Sequence, residues 1–418
     1  PAEAVENETD APKDARPAIK EPLGFSPSET TLNVVPTLGG KCLAALSDGG
    51  LQFLIAGARA DVGLTAGRYF FEIRIIESLN LNEGRNNRTR APMPRQLVRI
   101  GFSLAKSSLV LGDGGDCCVC FDSEGFFTAN KTRSKTSELF GRSQTISVLL
   151  NVDRKSPNAD TVSLFRDGVR VSQPQPLPEN LVGKALFPHV NFKNVTLQVN
   201  FGASPMAPLP FTCRTWQEVA KDDAEARKSD STKDGKYEVL FPIGLPDEGT
   251  FDWLDSFLEK NPGYVELSDR KILDWALKSG IWKPSSGAWK HSNDKPEFNF
   301  GIQYMDDFSI QRCLSAATQV LPRNYVVMEV KSNLISDERK ELLARFNAPF
   351  FKKTAHVVVG EPSDEYKASQ QDRMLKEKQE KANAEWKAKK AEEEKKKQVE
   401  ARQKQLAEMR KNAEEARK

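Results

Sequence analysis

Between about residues 27 and 205 the chain is written in short alternating or continuous apolar runs, broken by Gly, Asp, Asn and Pro. Examples are Arg68–Ile76, Leu97–Phe102, Thr145–Leu150, Thr161–Phe165 and Val195–Phe201. A helix repeats its apolar face every three to four residues, and a strand every two. Several short strands with turn signals between them predict a β-sandwich or barrel. The step Arg166–Val169 centres on Asp167-Gly168, a pair that tolerates positive φ and closes a tight hairpin.

The flanking stretches read differently. Residues 1–26 are rich in Pro, Ala, Glu and Asp with almost no aromatics, and the expectation there is disorder. Residues 213–235 are mostly charged and are expected to be a linker between domains spanning 27–212 and 236–366. The second domain has an α/β texture. Val239–Ile243, Asn324–Val330 and Ala355–Gly360 predict strands. Asp252–Lys260, Ser268–Lys278 with Ser268 as N-cap, and Ser336–Phe346 predict helices. Strands alternating with helices predict a largely parallel sheet. Residues 367–418 lack Gly and Pro and carry few large apolar residues, with basic residues outnumbering acidic ones. Their spacing keeps no heptad, so a solvated single helix supported by i,i+4 Glu–Lys pairs is expected rather than a coiled coil.

Composition narrows the class of function. The 61 basic and 58 acidic residues nearly cancel, which is no nucleic-acid signature in itself. No run of 18 apolar residues appears and no signal peptide opens the chain, so neither membrane nor secretion is expected. Cys42, Cys117, Cys118, Cys120, Cys213 and Cys313 then read as reduced thiols of the cytosol or nucleus. The run Cys117, Cys118, Cys120 lacks the second ligand pair that zinc requires, and alternating strand cysteines explain it better. With only three histidines, His189, His291 and His356, a histidine-based catalytic apparatus is not expected. His189 reads as a packed, hydrogen-bonded core residue, and Trp282 and Trp289 as packing.

Two stretches carry a family resemblance. Tyr69–Ile75, Val98–Ser103, Leu109–Asp113, Phe121–Gly125, Gly183–Val190 and Val199–Gly202 together resemble a SPRY domain. The blocks Gly183–Val190 and Val199–Gly202 are similar to those of the heterogeneous nuclear ribonucleoprotein U family. Tyr237–Trp253 resembles that family's strand leading into a phosphate-binding loop, with Gly244, Leu245, Pro246, Gly249 and Trp253 in register. Tyr325–Asn333 resembles the strand carrying the second acidic residue, and Glu338–Lys340, Val357–Val359 and Asp364–Lys367 continue the match. The resemblance implies a multidomain chain: an all-β SPRY sandwich, an α/β P-loop-like parallel-sheet domain of polynucleotide-kinase type, and a long charged C-terminal helix. The family's DNA-binding helical domain and its Arg-Gly-Gly-rich RNA-binding tail have no counterpart in these residues.

The loop departs from a working one. A P-loop reads G-x-x-x-x-G-K-[ST], its lysine reaching the β/γ-phosphates and its hydroxyl holding magnesium. Here the lysine position is Thr250 and the hydroxyl position Phe251, while Asp247 and Glu248 sit inside the loop. One carboxylate about 6 Å from a phosphate costs on the order of 3 kcal/mol at an effective dielectric near 20. Glu329 could stand in for the acidic metal partner but has nothing to assist. The sequence therefore predicts a degenerate nucleotide-binding loop at Gly244, Gly249, Thr250, Phe251 and Glu329, with no catalytic residue, no cofactor and no metal.

The remaining candidate surface is the loop 80–96, whose Arg85, Arg88, Arg90 and Arg95 face Glu83 alone. Arginine suits phosphate recognition through its planar fork, but no aromatic residue interrupts the loop to stack bases. SPRY domains hold partner peptides with loops at one end of the sandwich. By resemblance that site would lie around Arg68, 80–96 and 112–116. The reading is a nuclear, non-catalytic interaction scaffold of ribonucleoprotein or chromatin assemblies, with protein partners and possible RNA contact. Two alternatives stay open. One is an active phosphotransferase with a displaced lysine, Lys236 or Lys331. The other is a cytoplasmic structural protein whose C-terminal helix binds an assembly.

Overall fold

The alternating runs do form strands. The structure is a computed structural model that describes residues 6–20, 23–47, 50–79, 95–202, 204–227, 232, 234–243, 250–280, 316–328, 336–357 and part of 364–397. One sheet has seven strands in the spatial order Phe25–Thr30, Ala56–Ala60, Phe187–Lys193, Leu97–Ser103, Cys118–Asp122, Phe126–Ala129 and Thr132–Lys135. The other runs Val169–Arg170, Thr161–Arg166, Thr145–Val152, Gly67–Ser78, Val195–Asn200, Cys42–Ala45 and Val34–Thr37, with Gln175–Pro176 and Arg214–Thr215 at its side. Every pairing in both is antiparallel except that of Arg214–Thr215 with Gly67–Ser78. This is the all-β sandwich that the sequence predicts. Asp167 and Gly168 both take positive φ, 51° and 84°, as the hairpin turn requires.

Period-two alternation places the core. From Leu97–Ser103, the side chains of Val98, Ile100 and Phe102 enter it; from Gly67–Ser78, those of Tyr69, Phe71, Ile73 and Ile75. Trp216 fills the space between the sheets. It stacks on Phe102 at 5.5 Å, meets Phe71 edge-on at 6.2 Å, and donates its indole N–H to Val62 O at 3.0 Å.

Two expectations need correction. Residues 213–227 are no linker. Arg214–Thr215 joins the second sheet, Trp216 and Val219 are core residues, and Ala224–Ala226 pairs with Val62–Leu64. The abundance of charge there hid a Trp anchor. Nor are residues 6–20 disordered. Ile19 donates to Val219 O, Lys221 donates back to Pro17 O, and Ala11 donates to Thr212 O. Complementary charges on the sandwich hold a segment too polar to build a core alone.

The second module is a parallel sheet in the order Tyr264–Ser268, Asn324–Met328, Tyr237–Leu240, Phe351–Lys353, beside a separate parallel pair, Pro242–Ile243 with His356–Val357. The strand expected over Val239–Ile243 is thus split at Phe241, next to a proline that lacks a ladder donor. The helices are α1 (Thr250–Lys260), α2 (Asp269–Lys278) and α3 (Ser336–Arg345). Ser268 caps α2, its hydroxyl accepting from Lys271 N–H at 3.1 Å. Residues up to Val358, both modules included, form one unit, and Val359–Lys418 another. In the latter, residues 378–391 are helical, and Trp386 lies 60% exposed. Among the described residues no helix is long and apolar enough to cross a membrane.

Candidate partner-binding surfaces

The outward residues of the seven-stranded sheet are polar yet buried. Arg59, Ser103, His189 and Asn191 are each fully buried. Residues 104–117 lie across them. Arg59 donates from Nε to Ser103 Oγ at 2.8 Å, from Nη1 to Glu29 at 2.6 Å, and from Nη2 to the Ser107 and Ser108 carbonyls at 2.8 and 2.7 Å. Ser103 Oγ is 2.8 Å from His189 Nδ1, and His189 Nε2 is 3.2 Å from Leu109 O. A carbonyl only accepts, so Nε2 carries the proton and Nδ1 accepts from the serine. Burial, with the Arg59 charge adjacent, holds the His189 pKa well below the ordinary 6.5. Asn191 closes the layer, donating to Leu109 O at 2.8 Å and accepting from Leu111 N–H. Close approach here demands glycine: a Cβ on Gly57 would stand 2.1 Å from Leu109 O. His189 is thus the packed core histidine that the sequence suggested. Cys118 and Cys120 share this outward side with Leu111, and burial pushes both thiols up, away from the reactive thiolate. They do not alternate across the sheet.

The two modules meet over this layer. Trp275 of α2 packs with Leu51, Phe53, Leu54, Ile55 and Val110, and its indole N–H donates to Ile55 O at 2.7 Å. Ile55 N–H donates in turn to Ser279 Oγ at 2.9 Å. Arg323, 3% exposed, donates to Thr30 O and Thr30 Oγ1, both at 2.9 Å. A cavity of about 540 Å³ lies alongside, its wall including Glu29, Lys106, Glu266, Lys271 and Asp274. The carboxylates there are engaged: Glu29 with Arg59 and Arg227, Glu266 with Arg270, Asp274 with Lys278. Charges paired in this way favour a fixed joint over an acid–base site.

Of the residues expected in a degenerate nucleotide-binding loop, Gly244, Gly249 and Glu329 lie outside the described residues, as do Lys331, Trp282, Trp289, His291 and Cys313. Thr250 is the first residue of α1. Phe251 is 3% exposed and packs with Leu240, Leu254, Val326 and Met328. The Arg270 guanidinium lies 4.6 Å above its ring and pairs with Asp255 at 2.8 Å and Glu266 at 2.9 Å. Phe251 is therefore an apolar anchor under the sheet.

Arg68 and Arg95, both expected in one partner surface, are not together. Arg68 lies near the start of the 12-residue strand Gly67–Ser78, while Arg95 and Gln96 lie at its far end, where Gln96 donates to Leu79 O at 2.7 Å, roughly 35 Å away at ~3.3 Å per residue. Arg68 is also buried and already paired with Glu8 at 2.6 Å, so it is not an exposed contact beside Arg95. Arg95 is exposed, while Arg85, Arg88 and Arg90 lie outside the described residues. In the third expected segment Asp113 approaches Lys278 of α2 at 4.0 Å, and residues 114–116 are exposed. Sequence reasoning missed the inter-module joint and the segment on Arg68. Its available signals were Trp275 on the apolar face of a predicted helix, and the acidic run Glu6, Glu8, Asp10.

No family model matches the chain. It is 24% identical over 321 residues to heterogeneous nuclear ribonucleoprotein U-like protein 2 of Mus musculus, covering 74% of this chain and 39% of that protein. The Homo sapiens protein of the same name is 24% identical over 316 residues, with the same coverage. A 159-residue stretch is 27% identical to ATP-dependent RNA helicase Ddx1 of Drosophila melanogaster, covering 37% of this chain and 18% of the helicase. The chain spans less than half the length of these curated relatives. Among solved structures, the SPRY domain of human HERC1 aligns with TM-score 0.31 and 19% identity, over 42% of this chain and 96% of that one. A further human SPRY domain aligns with TM-score 0.30 and 16% identity, over 41% of this chain and 98% of that one. A match covering 74% of the chain must include parts of both modules, and the family that this chain resembles is that of the heterogeneous nuclear ribonucleoprotein U-like proteins.

Proposed function

We propose that the chain is a non-catalytic interaction scaffold of nuclear ribonucleoprotein or chromatin assemblies, binding proteins through the loops of its SPRY-like sandwich. The second module is a pseudo-kinase-like fold kept for its shape, and the charged tail serves as a spacer. The observation that carries the reading is Phe251. Buried beneath the Arg270 guanidinium, it has the position of the magnesium-binding hydroxyl in a P-loop, and the lysine position beside it is Thr250. The joint at Trp275 and Arg323 adds support, because a fixed pair of modules presents one continuous surface. The similarity to a ribonucleoprotein U-like protein supplies the setting.

The test is affinity purification of the intact chain from crosslinked nuclei, with and without nuclease, alongside calorimetry with ATP and magnesium. Protein partners retained after nuclease, and no saturable ATP binding, are expected. Saturable magnesium-dependent binding would establish a working nucleotide site, and loss of all partners on nuclease treatment would remove the protein-scaffold role. A parallel arm replaces Arg85, Arg88, Arg90 and Arg95 together by Ala. A fall in RNA crosslinking would assign direct RNA contact to that loop.

A further inference from the structure

The segment at residues 6–16, Glu6-Asn-Glu-Thr-Asp-Ala-Pro-Lys-Asp-Ala-Arg16, lies along the sandwich as an extended acidic peptide in a groove of arginines. Arg170 grips Glu6 with two parallel bonds, Nε and Nη2 each donating at 2.8 Å. Arg68 holds Glu8 at 2.6 Å and donates to the Thr9 carbonyl at 2.5 Å, while Asn158 donates to the same Glu8 carboxylate at 2.9 Å. Arg214 pairs with Asp14. Backbone bonds add register: Thr212 N–H donates to Asp10 at 2.6 Å and Ala11 N–H to Thr212 O at 2.7 Å.

The groove is built rather than incidental. Each arginine lies over an aromatic ring that orients its fork: Arg68 over Phe211 at 5.5 Å, Arg170 over Phe165 at 4.6 Å, and Arg214 over Tyr69 at 4.6 Å. The segment does not use all that the groove offers. Arg170 Nη1 and Arg214 Nε are buried donors with no partner. Buried donors are normally satisfied, so two spare ones in the same groove point to a ligand richer in acceptor oxygens than the resident segment. That segment has no large apolar side chain between Glu6 and Arg16. It is held by its ion pairs, including Arg68 with Glu8 and Arg16 with Asp223, and by its tether at Ile19, so its release breaks charge pairs but no apolar packing of its own.

We propose that the groove of Arg68, Arg170 and Arg214 is a recognition site for extended acidic peptides of partner proteins, occupied in cis by residues 6–16. A short tether gives the resident segment an effective concentration on the order of millimolar, so a partner enters only when it binds more strongly or when the segment loses charge. This rests on the sandwich being a protein-binding module, yet its test needs no ribonucleoprotein partner, so the two readings fail separately.

The test uses the full chain and a fluorescein-labelled peptide with the sequence of residues 6–16, followed by fluorescence polarisation at low salt. The triple change Glu6→Gln, Glu8→Gln, Asp14→Asn empties the groove of cis charge. It is expected to bind the peptide about tenfold tighter than wild type, and adding Arg170→Gln is expected to abolish the gain. Equal binding by wild type and triple variant, or a gain indifferent to Arg170→Gln, overturns the proposal. Because the triple variant could unfold, hydrogen exchange on the wild type provides a second arm. The Ala11 amide is expected to exchange well ahead of the core-strand amide of Val148. Exchange of both at one common rate would make residues 6–16 an integral part of the fold and overturn the exchangeable site.

Discussion

Replacing Trp275 by Ala tests whether the two modules behave as one body. Trp275 is the large aromatic of the joint, 8% exposed, and its indole N–H satisfies Ile55 O at 2.7 Å. Truncating a buried Trp to Ala costs about 3–5 kcal/mol, and the stranded Ile55 carbonyl adds roughly 1 kcal/mol. The loss falls on the contact between α2 and Leu51–Ile55, not on the cores of either module. At roughly 3 °C per kcal/mol, a loss of about 5 kcal/mol lowers the melting of the α/β module by about 15 °C. The sandwich, with Trp216 and its own large core, stays where it was. Differential scanning calorimetry should therefore show one transition in the wild type and two in the variant. Trp275→Phe, which keeps the ring and deletes the hydrogen bond, should fall between them. A Trp275→Ala variant that melts in one transition within a degree or two of wild type would refute the joint as the element coupling the modules.

Other outcomes follow from the same structure. His189 is held neutral, its folded pKa depressed below 6.5, so the unfolded chain takes up a proton that the folded chain refuses. That contribution is present in full above pH 6.5 and is lost as pH falls towards the folded pKa, by at most about 1.4 kcal/mol per unit; urea midpoints of His189→Asn should lack this slope. Phe251→Ala should cost about 3–4 kcal/mol by urea unfolding, through the emptied space among Leu254, Val326 and Met328 and the lost Arg270 stack. Thr250→Lys alone should not confer ATP binding by calorimetry, since the neighbouring Phe251 is buried among Leu254, Val326 and Met328 and offers no metal-binding hydroxyl. Gly57→Ala should yield little soluble protein, because a Cβ there meets the Leu109 backbone at 2.1 Å in a layer that cannot move without breaking the His189 and Asn191 bonds.

Local signals told most about elements, and least about what the elements do together. The hairpin at Asp167-Gly168 and the cap at Ser268 were legible because each is decided within four residues. The parallel pairing of Asn324–Met328 with Tyr237–Leu240 followed from strands alternating with helices. The linker reading of 213–227 failed because charge density was weighed over the Trp216 anchor, and Trp216 matters only once the two sheets close around it. Arg68 was placed with Arg95 by resemblance, although most of the strand Gly67–Ser78 lies between them. The gap between sequence neighbours and spatial neighbours produced that error.

The sequence by itself determined the sandwich strands and the parallel sheet, since these depend on residue type and on periods of two and three to four. The tertiary structure decided where the charges went. Arg68 meets Glu8 across 60 residues, Trp275 meets Ile55 across 220, and Arg323 meets Thr30 across 293. A charged residue carries the same letter whether it is solvated, buried in a joint or holding an acidic segment in a groove. Only the fold sets the local dielectric and the partner, and those two quantities decide what such a charge does.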